Sequence, residues 1–420
     1  MKFNKYKTVY ITVLLTCILS ACSKIDDYRK EYMSNGSIIY TGKMDSVHVL
    51  SGRNRVMITG LFTSDPNIVK YRVFWNGWQD STEASVKRTS GVDTAKIIIS
   101  NLPEGQMSFE IKTYDIAGNS SIGVYETASV FGDLYQSSIV NRGIEDASMQ
   151  EDGSALISWA DVNSAAGVLN MEITYPDSND VIHDTLINAK ITGQTTELPA
   201  YKLGSPFSYK TAYLPAPNSI DTFSTSFQSH TVKADVTKLY LSNTGPNFQH
   251  ASFDGRWGVL AAPWITNAAA MNKDGGVNGG YTSDSRWGSA GMINWETWGN
   301  TPVTDGKIYQ PTNLPLPAGN YTITFHYYSE IQSNSSVYCI VAAGNSGIPS
   351  LINISSSLGY TLLYNGAPVG KTSPNLDEVR SFSFTLASPQ IVSIGFLGNL
   401  VGNGNPGNYF VIEYIKLIQN

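Results

Sequence analysis

Val69-Lys70-Tyr71-Arg72-Val73-Phe74-Trp75 sets apolar side chains at its odd positions against mostly polar ones at its even positions. A period of two sends alternate side chains to opposite faces of an extended chain, so the segment predicts a β-strand with one buried face. Met107, Phe109 and Ile111 repeat the pattern against Ser108, Glu110 and Lys112. Asn101-Leu102-Pro103-Glu104-Gly105 supplies a turn before that second strand, and Ala117-Gly118-Asn119-Ser120-Ser121 another after it. Turn signals about every ten residues between short alternating runs predict an antiparallel sandwich. Beyond the first 21 residues no long stretch carries apolar residues at helical spacing.

Outward from this strand the same grammar continues. Ala155-Leu156-Ile157-Ser158-Trp159 opens a second unit, which Phe207-Ser208-Tyr209-Lys210-Thr211-Ala212-Tyr213 and Asp221-Thr222-Phe223-Ser224-Thr225 close. The remainder is too long for a third unit of that size. Its strands include 321–327, 381–386 and the terminal Tyr409-Phe410-Val411-Ile412-Glu413-Tyr414-Ile415-Lys416-Leu417. That last run is apolar on both faces, as in an inner strand covered by a second sheet. A jelly-roll sandwich of about eight strands accommodates it. The expectation is an all-β chain with a β-sandwich over residues 35–133, a second over 134–232 and a jelly roll over 233–420.

Composition limits what such a chain does. Of the 420 residues 42% are hydrophobic, enough for folded cores, and 15% are charged, against about 25% in typical soluble domains. The net charge is −6 with no basic run past the N-terminus, which excludes a nucleic-acid surface. The three cysteines are Cys17, Cys22 and Cys339. Cys339 sits in the strand-like Val337-Tyr338-Cys339-Ile340-Val341 and reads as a small buried side chain rather than a nucleophile.

The N-terminus has its own logic. Lys2, Lys5 and Lys7 precede an 11-residue apolar stretch, Val9 to Leu19, interrupted by Thr12, Thr16 and Cys17. A permanent membrane helix needs about 20 apolar residues, so residues 1–21 read as a secretory signal. Leu19-Ser20-Ala21-Cys22 resembles the lipobox of bacterial lipoproteins, which implies lipidation of Cys22 and attachment of the mature chain to a membrane; an uncleaved anchor is the competing reading. The tether 22–34 begins Ser23-Lys24-Ile25-Asp26-Asp27, which resembles the export signal of surface lipoproteins in Bacteroidota and implies an outer-membrane protein facing the cell exterior. An ordinary charged tether is the alternative.

Further resemblances follow from other segments. Leu102-Pro103-x-Gly105, Phe109, Tyr114 and the Gly118-Asn119-Ser120 turn resemble a fibronectin type III or related Ig-like domain, and Trp159 resembles the core tryptophan of fibronectin type III domains. This implies an Ig/fibronectin-like sandwich over 35–133 and a second fibronectin-like sandwich over 134–232. Tyr40-Thr41-Gly42-Lys43-Met44-Asp45-Ser46 and Gly52-Arg53-Asn54-Arg55 resemble the N-terminal module of uncharacterised Bacteroidota surface lipoproteins. Phe253-Asp254-Gly255-Arg256-Trp257-Gly258, Asp305-Gly306-Lys307-Ile308-Tyr309-Gln310 and Leu316-Pro317-Ala318-Gly319-Asn320-Tyr321 resemble their C-terminal carbohydrate-binding-module-like domain. The resemblance implies a glycan-utilization locus, a polysaccharide or oligosaccharide ligand and an outer-membrane transporter complex as partner.

Five of the eight tryptophans, Trp257, Trp264, Trp287, Trp295 and Trp298, fall within 42 residues among Gly, Asn, Asp and Arg. An indole face beside hydrogen-bonding side chains suits a sugar, whose C–H face stacks while polar side chains take the hydroxyls. Trp257 and Trp264 read as core. Trp287, Trp295 and Trp298, with Asp284, Arg286 and Asn294, are the candidate glycan-binding residues.

Enzyme signatures are weak. Gly366-Ala367-Pro368-Val369-Gly370-Lys371-Thr372 is one residue short of a phosphate loop. His48, His183, His230, His250 and His326 show no zinc spacing, and Asn272-Lys273-Asp274-Gly275-Gly276 fails the EF-hand pattern. No catalytic residue and no cofactor are expected; a structural calcium at Asp254 or Asp274 stays open. The expectation is thus a non-catalytic surface lipoprotein that captures glycan for uptake. A structural or adhesion subunit without glycan binding is the alternative. A small glycan-active hydrolase using two of Asp254, Asp284, Glu296, Asp305, Glu330 and Glu413 is a further one.

Overall fold

The computed structural model describes residues 39–191, 193–285, 290–297, 301–330, 335–365, 376–402 and 407–420. The described chain is nearly all β, with short helices such as Asp133–Ser138 and Thr237–Tyr240 between strands. By compactness it divides into two units: residues 1–140 with 164–169 and 212–225, and residues 141–163 with 170–211 and 226–420. Residues 1–38, and with them Cys22, lie outside the described residues, as do Arg286, Trp287 and Trp298.

The first sandwich is built from β1 (Asp45–Ser51), β2 (Arg55–Phe62), β3 (Ile68–Trp75), β4 (Asp80–Ser85), β5 (Asp93–Ser100), β6 (Gly105–Asp115) and β7 (Val124–Val130). A three-stranded sheet in the order β1-β2-β5 faces a four-stranded one in the order β4-β3-β6-β7. This is the arrangement of a fibronectin type III domain. Between them lie Val56, Ile58, Phe62, Tyr71, Val73, Phe109 and Ile111, which form one core. The alternation in β3 breaks at its start, where Val69 is exposed and Ile68 is buried. The cause is a register shift between Ile68 and Lys70 against β6, a bulge that turns one residue to the other face. Glu110 keeps its place on the outward face, opposite Phe74 and Tyr125, but is buried there, 4% exposed.

β8 (Ile144–Met149), β9 (Ala155–Trp159), β10 (Val168–Pro176), β11 (Ile182–Asn188), β12 (Thr195–Leu198), β13 (Pro206–Tyr213), β14 (Phe223–Ser224) and β15 (Gln228–Thr231) form the next two sheets. Their orders are β12-β9-β8 and β11-β10-β13-β14, with β15 also on β13. Shifted by seven, these are the strand orders of the first sandwich, so the chain uses one topology twice. Trp159 lies in the core, edge-on to Tyr209 at 5.1 Å, and its Nε1 donates to Thr196 Oγ1 at 2.8 Å. A buried indole N–H needs such an acceptor.

The last sandwich takes β16 (Ala234–Asp235), β17 (His250–Phe253), β18 (Trp257–Leu260), β19 (Ile265–Thr266), β20 (Gly280–Ser283), β21 (Gly291–Glu296), β22 (Val303–Pro311), β23 (Gly319–Glu330), β24 (Ser336–Ala343), β25 (Gly359–Asn365), β26 (Leu376–Leu386), β27 (Val392–Leu400) and β28 (Tyr409–Gln419). One sheet runs β17-β18-β20-β21-β28-β23-β26 with β16 on β28, and the other β19-β22-β27-β24-β25. The chain crosses from sheet to sheet as it proceeds, which is jelly-roll behaviour, but with more strands than the eight expected. The additional ones are short pieces such as β16 to β20, in a Gly- and Asn-rich segment without alternation to read. β28 is an inner strand, paired to β21 on one side and β23 on the other; it is buried on both faces from Tyr409 to Ile412, whereas Glu413 and Tyr414 are half-buried and Lys416 is exposed. Cys339 is fully buried in the core, and burial pushes its thiol pKa up, so it remains a neutral packing group.

Candidate functional site

β18, β20 and β21 lie side by side and gather the tryptophan-rich segment. β21 is buried along its whole length, Gly291 to Glu296. Trp295 is therefore a correction to the expectation: it is 1% exposed, edge-on to Phe396 at 6.0 Å and to Phe410 at 6.1 Å. Gly398 makes room for it, since a Cβ there would lie 2.9 Å from the indole. A ring enclosed in this way has no face to offer a ligand. Asn294, 2% exposed, is corrected for the same reason, since β21 is paired on both edges and buried along its length; Asp284, 3% exposed, is corrected too, as it follows β20 and is buried against Arg256. Trp264, 5% exposed, is in the core as expected, and its Nε1 donates to the Asn243 carbonyl at 2.6 Å.

What the segment builds instead is a buried ionic cluster around Trp257. The Trp257 Nε1 donates to Glu296 Oε2 at 3.0 Å. Arg256 Nη2 lies 3.1 Å from Asp284 Oδ2 and 3.8 Å from Glu296 Oε1. Lys273 Nζ is 3.9 Å from Glu296 Oε2, too far for a hydrogen bond, and has no other partner. Both cations lie near the indole, Arg256 at 5.1 Å and Lys273 at 4.9 Å from its centroid. Burial lowers the Lys273 pKa, and Glu296 opposes that shift. Among the described residues Asp284 and Glu296 face Arg256 and Lys273, with Arg256 at the half-exposed rim, and opposite charges at this range make the buried members tolerable.

In front of the cluster, Asp254 in the turn between β17 and β18 and Asp274 on the loop after β19 converge on one amide. Asn278 Nδ2 donates to Asp274 Oδ2 at 2.7 Å and to Asp254 Oδ2 at 3.1 Å. The backbone N–H groups of Arg256 and Trp257 also donate to Asp254 Oδ1, and hold its pKa below the usual carboxylate range. Among the described residues no group of three His, Cys, Asp or Glu side chains is placed to hold a metal ion. Between these two aspartates the Asn278 amide already fills a donor's place.

Beside them opens a groove of about 530 Å³. Ala269, Met271 and Pro302 line its apolar part, and Asn272, Asp274 and Thr301 its polar part. Asn272 is fixed from behind by its Nδ2, which donates to the Glu296 carbonyl at 2.6 Å. Glu296 thus connects the groove wall to the ionic cluster. Of the sequence-derived candidates, the described ones, Trp295, Asp284 and Asn294, are all buried behind this wall. The residues that supply the polar side of the groove stand together in Asn272-Lys273-Asp274-Gly275-Gly276, where the sequence pattern points to a loop and carries no sign of the wall it forms.

A second constellation was invisible as five scattered histidines. On the outer face of the eight-stranded sheet, His326 of β23 bridges two carboxylates: Nδ1 bonds Glu413 of β28, and Nε2 bonds Asp377 of β26 at 2.6 Å. Tyr328 and Tyr414 flank the imidazole at 4.7 and 5.8 Å. Burial pulls the His326 pKa down, but the hydrogen bonds from Glu413 and Asp377 outweigh it and hold the pKa above its ordinary value. With one acid on each ring nitrogen, the group staples three neighbouring strands and does not converge on a common point.

Comparison with known proteins adds two families. Residues 22–223 match a domain of unknown function (DUF4998), and residues 242–395 match a second one (DUF5013). No curated protein matches the chain. Among solved structures, the FN1-FN3 domains of chicken CNTN1 align over 46% of this chain and 67% of theirs, at 15% identity and a TM-score of 0.25. A cleaved adhesin domain of Lys-gingipain from Porphyromonas gingivalis aligns over 41% of this chain and 98% of its own, at 17% identity and a TM-score of 0.24. A two-domain fibronectin type III segment of chicken tenascin aligns over 45% of this chain and all of its own, at 13% identity and a TM-score of 0.19.

Proposed function

We propose that the chain is a non-catalytic lipoprotein, held by lipidated Cys22 in the outer membrane and facing the cell exterior, which captures polysaccharide with its last sandwich. The observation that carries the binding part is the groove beside the Trp257 cluster. It combines an apolar side for the C–H face of a sugar with Asn272, Asp274 and Thr301 for its hydroxyls, on a wall braced by a buried ion network. Pre-organised groups lose little freedom on binding. Trp298 is three residues before Thr301 in the sequence, and with Trp287 and Arg286 it stays in the proposed site. The sandwiches at 35–133 and 134–232 stand between the anchor and this domain in chain order. An outer-membrane transporter complex is the proposed partner.

Asp284 and Glu296 are both buried and held by Arg256, which favours binding over hydrolysis. A carboxyl pair needs open access to the scissile bond. Affinity electrophoresis through gels containing soluble polysaccharides tests the reading. Retardation is expected, and it should be lost in Asp274→Ala and Trp298→Ala. Unretarded migration in every polysaccharide gel would sink it. Release of reducing sugar would instead establish a hydrolase. For the anchor, Cys22→Ser should move the protein from the membrane to the soluble fraction.

The adhesion alternative has one observation in its favour. β11 is an edge strand whose Ile182 and Leu186 are 61% and 68% exposed, and such an edge can recruit another chain.

A further inference from the structure

The first sandwich presents a row of aromatic and charged side chains on the outer face of its four-stranded sheet. In the register of β3, β6 and β7, Phe74 stands opposite Glu110, and Glu110 opposite Tyr125. Trp78, from the turn between β3 and β4, lies over Phe74 with ring centroids 4.6 Å apart and planes 19° apart. The row therefore reads Trp78 on Phe74, then Glu110, then Tyr125, across two strand spacings or about 10 Å.

Three features set this row apart from an ordinary solvated sheet face. Trp78 is 56% exposed and Tyr125 70%, large rings left open on either side of a carboxylate. Glu110 is 4% exposed; its carboxylate accepts from the Tyr125 hydroxyl, whose pKa this raises, while Oε2 has no hydrogen-bond partner among the described residues. A buried acceptor left unmade is costly, so that a ligand hydroxyl displacing Tyr125 would be a donor to satisfy it. Third, the backbone is bent to present the indole. Asn76 and Gly77, with φ of 51° and 62°, are residues that tolerate the left-handed region in a hairpin turn. Trp78 follows them there with φ 70°, a conformation unusual for a bulky side chain and one that concentrates at functional positions.

The remaining contacts indicate the ligand's chemistry. Lys112 Nζ is 3.3 Å from Glu110 Oε1 and 4.4 Å from the Trp78 centroid. Lys70 is paired with Glu83 at 3.2 Å. Gly123 leaves the Glu110 carboxylate its space, since a Cβ there would lie 2.3 Å from Oε1. Arg72 lies 5.1 Å from the Phe74 ring and donates to Ser81 Oγ, so with Lys112 and Lys70 paired to carboxylates the face suits a ligand that has apolar faces and hydroxyls able both to donate and to accept. We propose that this face is a second glycan-binding site, which takes a neutral pyranose chain across Trp78, Glu110 and Tyr125. It goes beyond the groove of the last sandwich and makes the first sandwich a binding module in its own right. Two sites on one chain bind a polymer with avidity.

The test uses the full chain labelled with 5-fluorotryptophan, titrated with laminarin, xylan, mannan and soluble starch and followed by ¹⁹F NMR. The Trp78 resonance is identified by its absence in Trp78→Phe. At least one of the four polysaccharides is expected to shift it, and Tyr125→Ala, an exposed site whose loss leaves the core intact, should weaken that titration by about tenfold. A Trp78 resonance that stays in place with all four overturns the proposal. A shift that persists unchanged in Tyr125→Ala also overturns it, since the row would not act as a unit. Asp274→Ala separates the two sites: if it alone abolishes binding, the groove stands and this inference falls, whereas a Trp78 shift that survives it supports the second site independently of the groove.

Discussion

Trp159 and Trp295 are both about 1% exposed and both packed edge-on against aromatic rings, yet their sequences suggest opposite fates. Trp159 ends Ala155-Leu156-Ile157-Ser158-Trp159, in a strand buried on one face, and the alternation announces its burial. Trp295 stands between Asn294 and Glu296, and polar neighbours suggest a surface. In β21 those neighbours are buried as well, because the strand is paired on both edges and covered on both faces. Alternation reports exposure only where one face of a sheet meets water. The two indoles also differ in their N–H groups: Trp159 donates to Thr196, and Trp295 Nε1 has no partner.

The largest expected effect tests whether Trp295 is as deeply structural as its burial says. Trp295→Ala should destabilise the unit containing it by about 3–5 kcal/mol, as for other large-to-small core changes, measured by urea denaturation. A loss below about 1 kcal/mol would return Trp295 to the surface. Next comes the polar part of β21. Glu296→Ala leaves the buried Lys273 without that counter-charge, and breaking a buried pair costs about 3 kcal/mol; Glu296→Gln should recover part of it by keeping an acceptor for the Trp257 N–H.

A smaller effect separates the two indoles directly. Trp159→Phe removes a buried hydrogen bond and leaves the Thr196 hydroxyl unpaired, whereas Trp295→Phe removes an N–H that had no partner. Beyond the shared loss of volume, the first change should cost roughly 1 kcal/mol more; equal losses would mean that the Thr196 bond contributes nothing net. The smallest effect is pH-dependent and lies on the outer face of the same sheet. The His326 pKa is raised above its ordinary 6.5, so the Glu413 and Asp377 bonds stabilise fully below that pH and are lost as pH rises through the higher folded-state value. Stability should therefore fall on the alkaline side of pH 6.5, and His326→Asn should flatten that decline. An unchanged pH profile in the variant would show that the staple contributes nothing.

Much of the architecture is legible without coordinates. The alternating runs at 69–75, 107–112, 155–159 and 207–213 all fall in strands, since a half-buried strand writes its environment into its own residues. The short strands between 234 and 283 are not legible, because Gly, Asn and Thr there carry no alternation. The site was legible only in its neighbourhood: tryptophan density marked the segment 257–298, but the groove wall came from Asn272, Asp274 and Thr301. The bulge that turns Val69 outward likewise depends on β6, more than 40 positions away in the chain.

By itself, then, the sequence determined the secondary-structure class, the cores of the alternating strands and the chemistry available near Trp257. Tertiary structure alone decided which polar residues are buried and which partners they meet. His326 acquires Glu413 across 87 positions, Arg256 acquires Asp284 and Glu296, and Glu110 is buried opposite Tyr125. The physical reason is that a strand specifies its own two faces locally, while the element that covers each face arrives from elsewhere in the chain.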